Sequence, residues 1–165
     1  MIAIRTVSAD DWQQWRELRR EALREAPDAF GSTLAGWSGD GDYEARWRDR
    51  LETVLVNLIA DLDDVPVGMV SLTAVEDLEV ELIGMWVAPQ ARGRGVGQAL
   101  VLSVLDHARA NGAVRIALDV TAGNDPAIAL YTSTGFVDVG WATDPEDPKP
   151  ERRMRQSLFA APTAE

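Results

Sequence analysis

The chain has 165 residues, 46% of them hydrophobic, and 27 acidic against 16 basic side chains give a formal net charge of −11. That length fits one domain, 1–165, burying roughly 70% of the surface its unfolded form would expose, and the acidic balance disfavours nucleic acid, whose phosphates demand clustered Lys and Arg. The absence of cysteine excludes a disulfide framework, a thiolate zinc site and a cysteine nucleophile, and no apolar run approaches a membrane span.

In chain order, residues 2–7 read as a strand, 9–26 as a helix, then a loop through Gly31, Gly36, Gly39 and Gly41 leads to a helix over 42–52. The N-terminus lacks the charged start and long apolar core of a signal peptide, which predicts a cytoplasmic protein with no membrane partner. Apolar runs at 54–60, 67–74 and 78–87, separated by short acidic turns, have hairpin spacing and predict an antiparallel meander. The stretch between Leu51 and Ala91 carries eight acids and no Lys or Arg. Those at 61–64 and 76–77 suit solvated turns, whereas Glu79 and Glu81 lie inside a strand. Next come a helix from 96 to about 111, a strand at 115–121, a helix at 125–134 and a strand at 136–142. A proline-rich connector and a last strand around 153–158 complete the order. This succession predicts an α/β (α+β) fold, a mixed, mostly antiparallel sheet of six or seven strands with helices on both faces.

The segment Gln90-Ala91-Arg92-Gly93-Arg94-Gly95-Val96-Gly97 joins a strand to a helix. A helix start offers unpaired N–H groups and the positive end of its dipole, and glycines let a pyrophosphate approach the main chain. The bland alternative is a glycine-rich turn. A Walker A loop would need Gly-Lys-Ser/Thr, and a dinucleotide fingerprint starting at Gly93 would need glycine where Gln98 stands. The remaining pattern, Gln-x-x-Gly-x-Gly after Val-Ala-Pro, resembles the coenzyme A loop of the GNAT superfamily of N-acetyltransferases. The run from Asn124 through Ala127, Leu130 and Tyr131 to Gly135-Phe136 is similar to a second signature of that family.

The resemblance implies acetyl-CoA as co-substrate, no metal, and a splay between the fourth and fifth strands that takes the pantetheine arm. By that analogy Met85, Trp86 and Val87 pair with the arm through their backbones. Gln90, Arg92, Gly93, Arg94, Gly95, Val96 and Gly97 surround the pyrophosphate, and Asn124 and Ala127 contribute from the second signature. Tyr131, two helical turns after Asn124, is expected to protonate the leaving thiolate, or else to be an amphipathic tyrosine buried on a helix face. Glu81 is expected to take the proton of the amine, often through water in such enzymes, with Glu79 in reserve; the alternative is a solvated strand residue. Strand alternation puts Glu79, Glu81, Ile83 and Met85 on one face unless a bulge intervenes. Phe30 and Trp37 either floor an acceptor pocket or staple a long loop. An acid-rich face with aromatics suits a cationic primary amine, a small molecule or a peptide N-terminus. His107, the single histidine, belongs on a helix flank. The expected partners are acetyl-CoA and an amine acceptor, in a monomer or a homodimer. An acyl-CoA sensor without turnover and a protein N-terminal or lysine acetyltransferase are the competing readings.

Overall fold

In the computed structural model, which describes residues 1–159, seven strands form one sheet in the order β1-β2-β3-β4-β5-β7-β6. They are β1 (Ile2–Thr6), β2 (Val56–Leu62), β3 (Val65–Leu72), β4 (Glu79–Val87), β5 (Arg115–Thr121), β6 (Val137–Trp141) and β7 (Glu151–Ser157). All neighbours run antiparallel except β4 and β5. The sheet is thus mixed and mostly antiparallel, as the element order predicts. The last strand does not follow β6 at the edge. It inserts between β5 and β6.

Tight turns close the meander, with Asp63 and Asp64 at φ 50° and 67°, and Asp77 and Leu78 at φ 50° and 65°. Aspartate tolerates this left-handed region, and its twist matches that of the paired strands. The two turns lie at opposite ends of β3, so the acids of this stretch do not assemble into one acid-rich face.

Helices α1 (Trp12–Glu25) and α2 (Glu44–Glu52) cover one face, and α3 (Val96–Ala110) covers the other with α4 (Asp125–Ser133) beside it. The parity of β3 fixes this: Val96 and Leu100 of α3 lie over Gly68, whereas Arg50 of α2 bonds Ser71 on the opposite side. Each layer buries a bulky apolar stripe. Trp15, Leu18 and Trp47 are buried on the first face, and Leu100, Val101 and Val104 on the second. The predicted helix at 9–26 is divided. Ser8 and Asp11 form a capping box around a short 3-10 turn, Ala9–Asp11, and α1 starts at Trp12.

Two irregularities of β4 shape the molecule. Pairing with β5 is confined to Glu79 with Arg115, Val80 with Ile116 and Glu81 with Ala117, after which the strands part. In addition, Ser71 faces Ile83 but Met69 faces Trp86, so β4 carries one extra residue at Gly84, whose φ is +65°. The bulge corrects the simple alternation: Glu81 and Ile83 share the α1/α2 face with Trp86, while Met85 turns with Val87 to the face of α3.

Candidate active site

A cleft of about 940 Å³ opens where β4 and β5 separate. One end is built by the start of α3. Gly95, at φ +88°, is its N-cap, and no side chain among the described residues caps the first turn, so the amides there keep free hydrogen-bonding capacity. Gly93, at φ +74°, has open space where a side chain would stand. Only glycine holds both conformations without strain.

Along β4, the Ala88 N–H bonds Val67 O at 2.7 Å, which makes the neighbouring pair of Val87 with Gly68 a non-hydrogen-bonded one. The N–H and C=O of Val87 therefore point away from β3, towards the opening. Its carbonyl accepts from Arg92 Nε at 3.0 Å, while Arg92 Nη2 reaches Glu25 Oε2 at 2.8 Å. The same Glu25 oxygen accepts from the Trp86 indole at 2.9 Å, and these two donors hold the Glu25 carboxyl below its ordinary pKa. The end of α1, the end of β4 and the glycine loop are tied together by this carboxylate.

The opposite wall comes from α4. Asn124 is its N-cap, accepting from Ala127 N–H at 3.4 Å, and Asn124, Ala127, Leu130 and Tyr131 line the cleft. Tyr131 is 6% exposed and stands edge-on to Phe136 at 5.8 Å. Burial raises its phenol above the ordinary value, so it stays protonated throughout the physiological range.

Where the strands begin to part, Glu81 enters the cleft beside two acids that the sequence reading missed, Asp119 and Glu151. Arg153 ties two of them together: Nη2 meets Glu81 Oε1 at 3.3 Å, and Nε meets Asp119 Oδ1 at 2.9 Å. Burial and the charge of Asp119 push the Glu151 carboxyl up. A lone charged residue inside the apolar strand around Asp119 was a readable sign; nothing local marked Glu151.

The structure thus brings together Phe30, Glu81, Met85, Trp86, Val87, Arg92, Gly93, Gly95, Gly97, Asn124, Ala127 and Tyr131 around one cleft. Other sequence candidates lie elsewhere. Trp37 does not reach the cleft; it stacks on Trp47 at 4.4 Å under the Arg46 guanidinium, which favours the staple reading. Glu79 is spent on Arg115 at 3.2 Å and Arg155 at 3.4 Å. Gln90 and Arg94 do not line the cleft, and the Val96 side chain is buried in the core. The Trp86 side chain is buried, and its backbone groups, one residue from those of Val87, turn towards β3 rather than the opening. His107 is partly buried near the end of α3, away from the cleft.

Comparison with known proteins agrees with this architecture. The family model described as "Acetyltransferase (GNAT) family" matches residues 12–136, and the chain belongs to that family. A mycothiol acetyltransferase of Clavibacter michiganensis subsp. michiganensis is 31% identical over 138 residues, 83% of this chain and 43% of that protein. A streptothricin acetyltransferase of Streptomyces lavendulae is 36% identical over 120 residues, 69% of this chain and 56% of that protein. The chain therefore spans about half the length of the curated relatives it matches. Among solved structures, the PaiA N-acetyltransferase of Thermoplasma acidophilum in complex with coenzyme A has the same fold at a TM-score of 0.73. It is 18% identical, with 95% of this chain and 99% of that one covered. No described helix is long and apolar enough to cross a membrane.

Proposed function

We propose that this chain is an acetyl-CoA-dependent N-acetyltransferase in which a primary amine attacks the thioester directly. The observation that carries this reading is the junction in one cleft of an uncapped helix start, a protonated buried phenol and a carboxylate. The relatives named as acetyltransferases and the coenzyme A complex of a protein of the same fold support it.

The residues present fit acetyl-CoA, which would supply an activated acetyl group as a thioester. Amides of the first turn of α3 and the open space at Gly93 suit a pyrophosphate. The outward N–H and C=O of Val87 suit the pantetheine amides, as an added strand would pair. The Arg92 guanidinium sits on that carbonyl and so would release it when the arm enters. Tyr131 holds its proton at the phenol oxygen, ready for the leaving sulfur. Glu81, directly or through one water, takes a proton from the incoming ammonium, with Arg153 fixing its orientation. The acceptor is a primary amine on a small molecule or a peptide N-terminus.

A panel of amines and peptides with acetyl-CoA, read as free thiol release, tests the proposal, and turnover of at least one amine is expected. Tight coenzyme A binding with no turnover would favour the sensor reading, and peptide-only turnover would favour a protein-modifying enzyme.

A further inference from the structure

On the α1/α2 side of the cleft, Arg19 and Arg50 stand out among the cations. Most arginines of the described residues have a carboxylate partner, including Arg5, Arg16, Arg48, Arg92, Arg115, Arg152, Arg153 and Arg155. Arg19 and Arg50, though both line the cleft, form no ion pair within the described residues. Glu25, an acid on the same helix as Arg19, is occupied by Trp86 and Arg92.

Apart from one another, the groups they contact among the described residues are neutral. Arg50 donates to Asn57 Oδ1 at 3.3 Å and Ser71 Oγ at 3.2 Å, and both of those groups are buried. Arg19 lies over the Phe30 ring at 4.4 Å, and its Nη1 is buried with no hydrogen-bond partner among the described residues. Burial together with the charge of Arg50 pulls Arg19 down to about 10. Two neighbouring desolvated cations are unfavourable until an anion complements them.

The bulge makes room for that anion. The point where a Gly84 side chain would begin is 3.4 Å from Arg19 Nη1 and 3.8 Å from Arg50 Nη2. Because Gly84 has no side chain, a planar oxyanion lying against β4 at this point meets both guanidinium groups, the geometry that arginine serves best. Glu81 lies three residues earlier on the same strand, with its side chain on the same face as Arg50 and Ser71.

We infer that the acceptor carries a carboxylate besides its amine, and that Arg19 and Arg50 bind this carboxylate while the amine faces Glu81. The inference deepens the acetyltransfer reading and rests on it for the role of the amine. It selects amino acids, or amines bearing an acidic group, over polyamines and aminoglycosides, which the two arginines repel.

The test pairs acids with their amides as acceptors: L-leucine, β-alanine and 4-aminobutyrate, and tetrapeptides carrying Glu or Gln at the second position. At least one acid should exceed its amide in kcat/KM by about tenfold or more, the worth of one charge-assisted hydrogen bond. Arg19→Gln and Arg50→Gln should each bring that ratio towards one while coenzyme A affinity, measured by calorimetry, stays unchanged. Turnover of the free amino acids assigns the carboxylate to the α-, β- or γ-position, and turnover confined to Glu peptides assigns it to an acidic side chain. Amides or polyamines used as well as or better than every acid would overturn the inference. Should no amine be turned over, the acetyltransfer reading fails first, and binding decides the rest. N-acetyl-L-leucine and N-acetyl-β-alanine should then protect the protein against thermal unfolding more than their amides do, and Arg19→Gln should abolish the difference. Equal protection by acids and amides would sink the anion site. If Arg50→Gln does not fold, Arg19→Gln carries the comparison alone.

Discussion

Tyr131 and Glu81 are the two side chains on which the proposed chemistry turns, and they occupy contrasting environments. Tyr131 is buried, and its raised pKa keeps the proton in place until a base appears within reach. Tyr131→Phe keeps the ring packed on Phe136 and deletes only the hydroxyl. Coenzyme A affinity should persist while kcat falls by roughly 10²-fold; activity within a factor of about two of wild type would return Tyr131 to a packing role. Glu81 instead sits in a charged group with Arg153, Asp119 and Glu151. With Glu81 as base, Glu81→Gln lowers kcat/KM by roughly 10²-fold without comparable loss of coenzyme A binding. Glu151, raised by burial and by Asp119, is the competing base. Comparing kcat/KM of Glu81→Gln and Glu151→Gln against one good amine acceptor separates them, since the rate falls in whichever variant lacks the base.

Among the elements, the start of α3 and the bulge of β4 carry the site. In the proposed site the α3 turn holds the pyrophosphate through geometry and dipole rather than through a particular side chain, so its weak point is any group that fills the space. Gly93→Asp introduces a side chain and a like charge into the open position before the helix, at φ +74°. Acetyl-CoA affinity should drop by at least about tenfold, with the circular dichroism of the fold retained; unchanged calorimetric binding would refute the phosphate assignment. The β4 bulge shows how one glycine redirects a whole strand. Without it Met85 would share the face of Glu81; with it, the space before Arg19 and Arg50 is left free.

For the molecule as a whole, the layer of α1 and α2 is tied by Asp42, between the glycine-rich loop and α2. It accepts from Arg16 Nε at 2.7 Å and from the Trp47 indole at 2.8 Å, with Arg20 at 3.7 Å. Arg16 in particular holds the Asp42 carboxyl far below the usual carboxylate range. A carboxyl depressed in the folded state contributes stability that is present above its unfolded pKa and is lost as pH falls through the folded value. Asp42→Asn should therefore cost about 1–2 kcal/mol at neutral pH and make stability fall less steeply below about pH 4. Thermal melts of both proteins across that range check this, and a parallel acid profile in the variant would remove Asp42 from the account.

The sequence by itself determined the order of strands and helices along the chain, the glycine turn at Gly93 and Gly95 that opens α3, and the pairing of Asn124 with Tyr131 on one wall. These depend on period, turn chemistry and spacing, which are local. Gly84 also carried a local sign, since a glycine within a strand pattern often marks a bulge, but alternation alone placed Met85 on the wrong face. Only the tertiary structure decided the rest. Trp37 could not be separated from a pocket wall until Trp47 and Arg46 were seen to enclose it. Glu79 and Glu81, two residues apart, part ways because Arg115 and Arg155 reach one while Arg153 and the cleft receive the other. Arg19, Arg50 and Gly84 come from three separate elements, and the absence of a carboxylate between the two cations among the described residues is a property of their shared surroundings. Such complementarity is set by which faces the sheet brings together, and no window of sequence contains it.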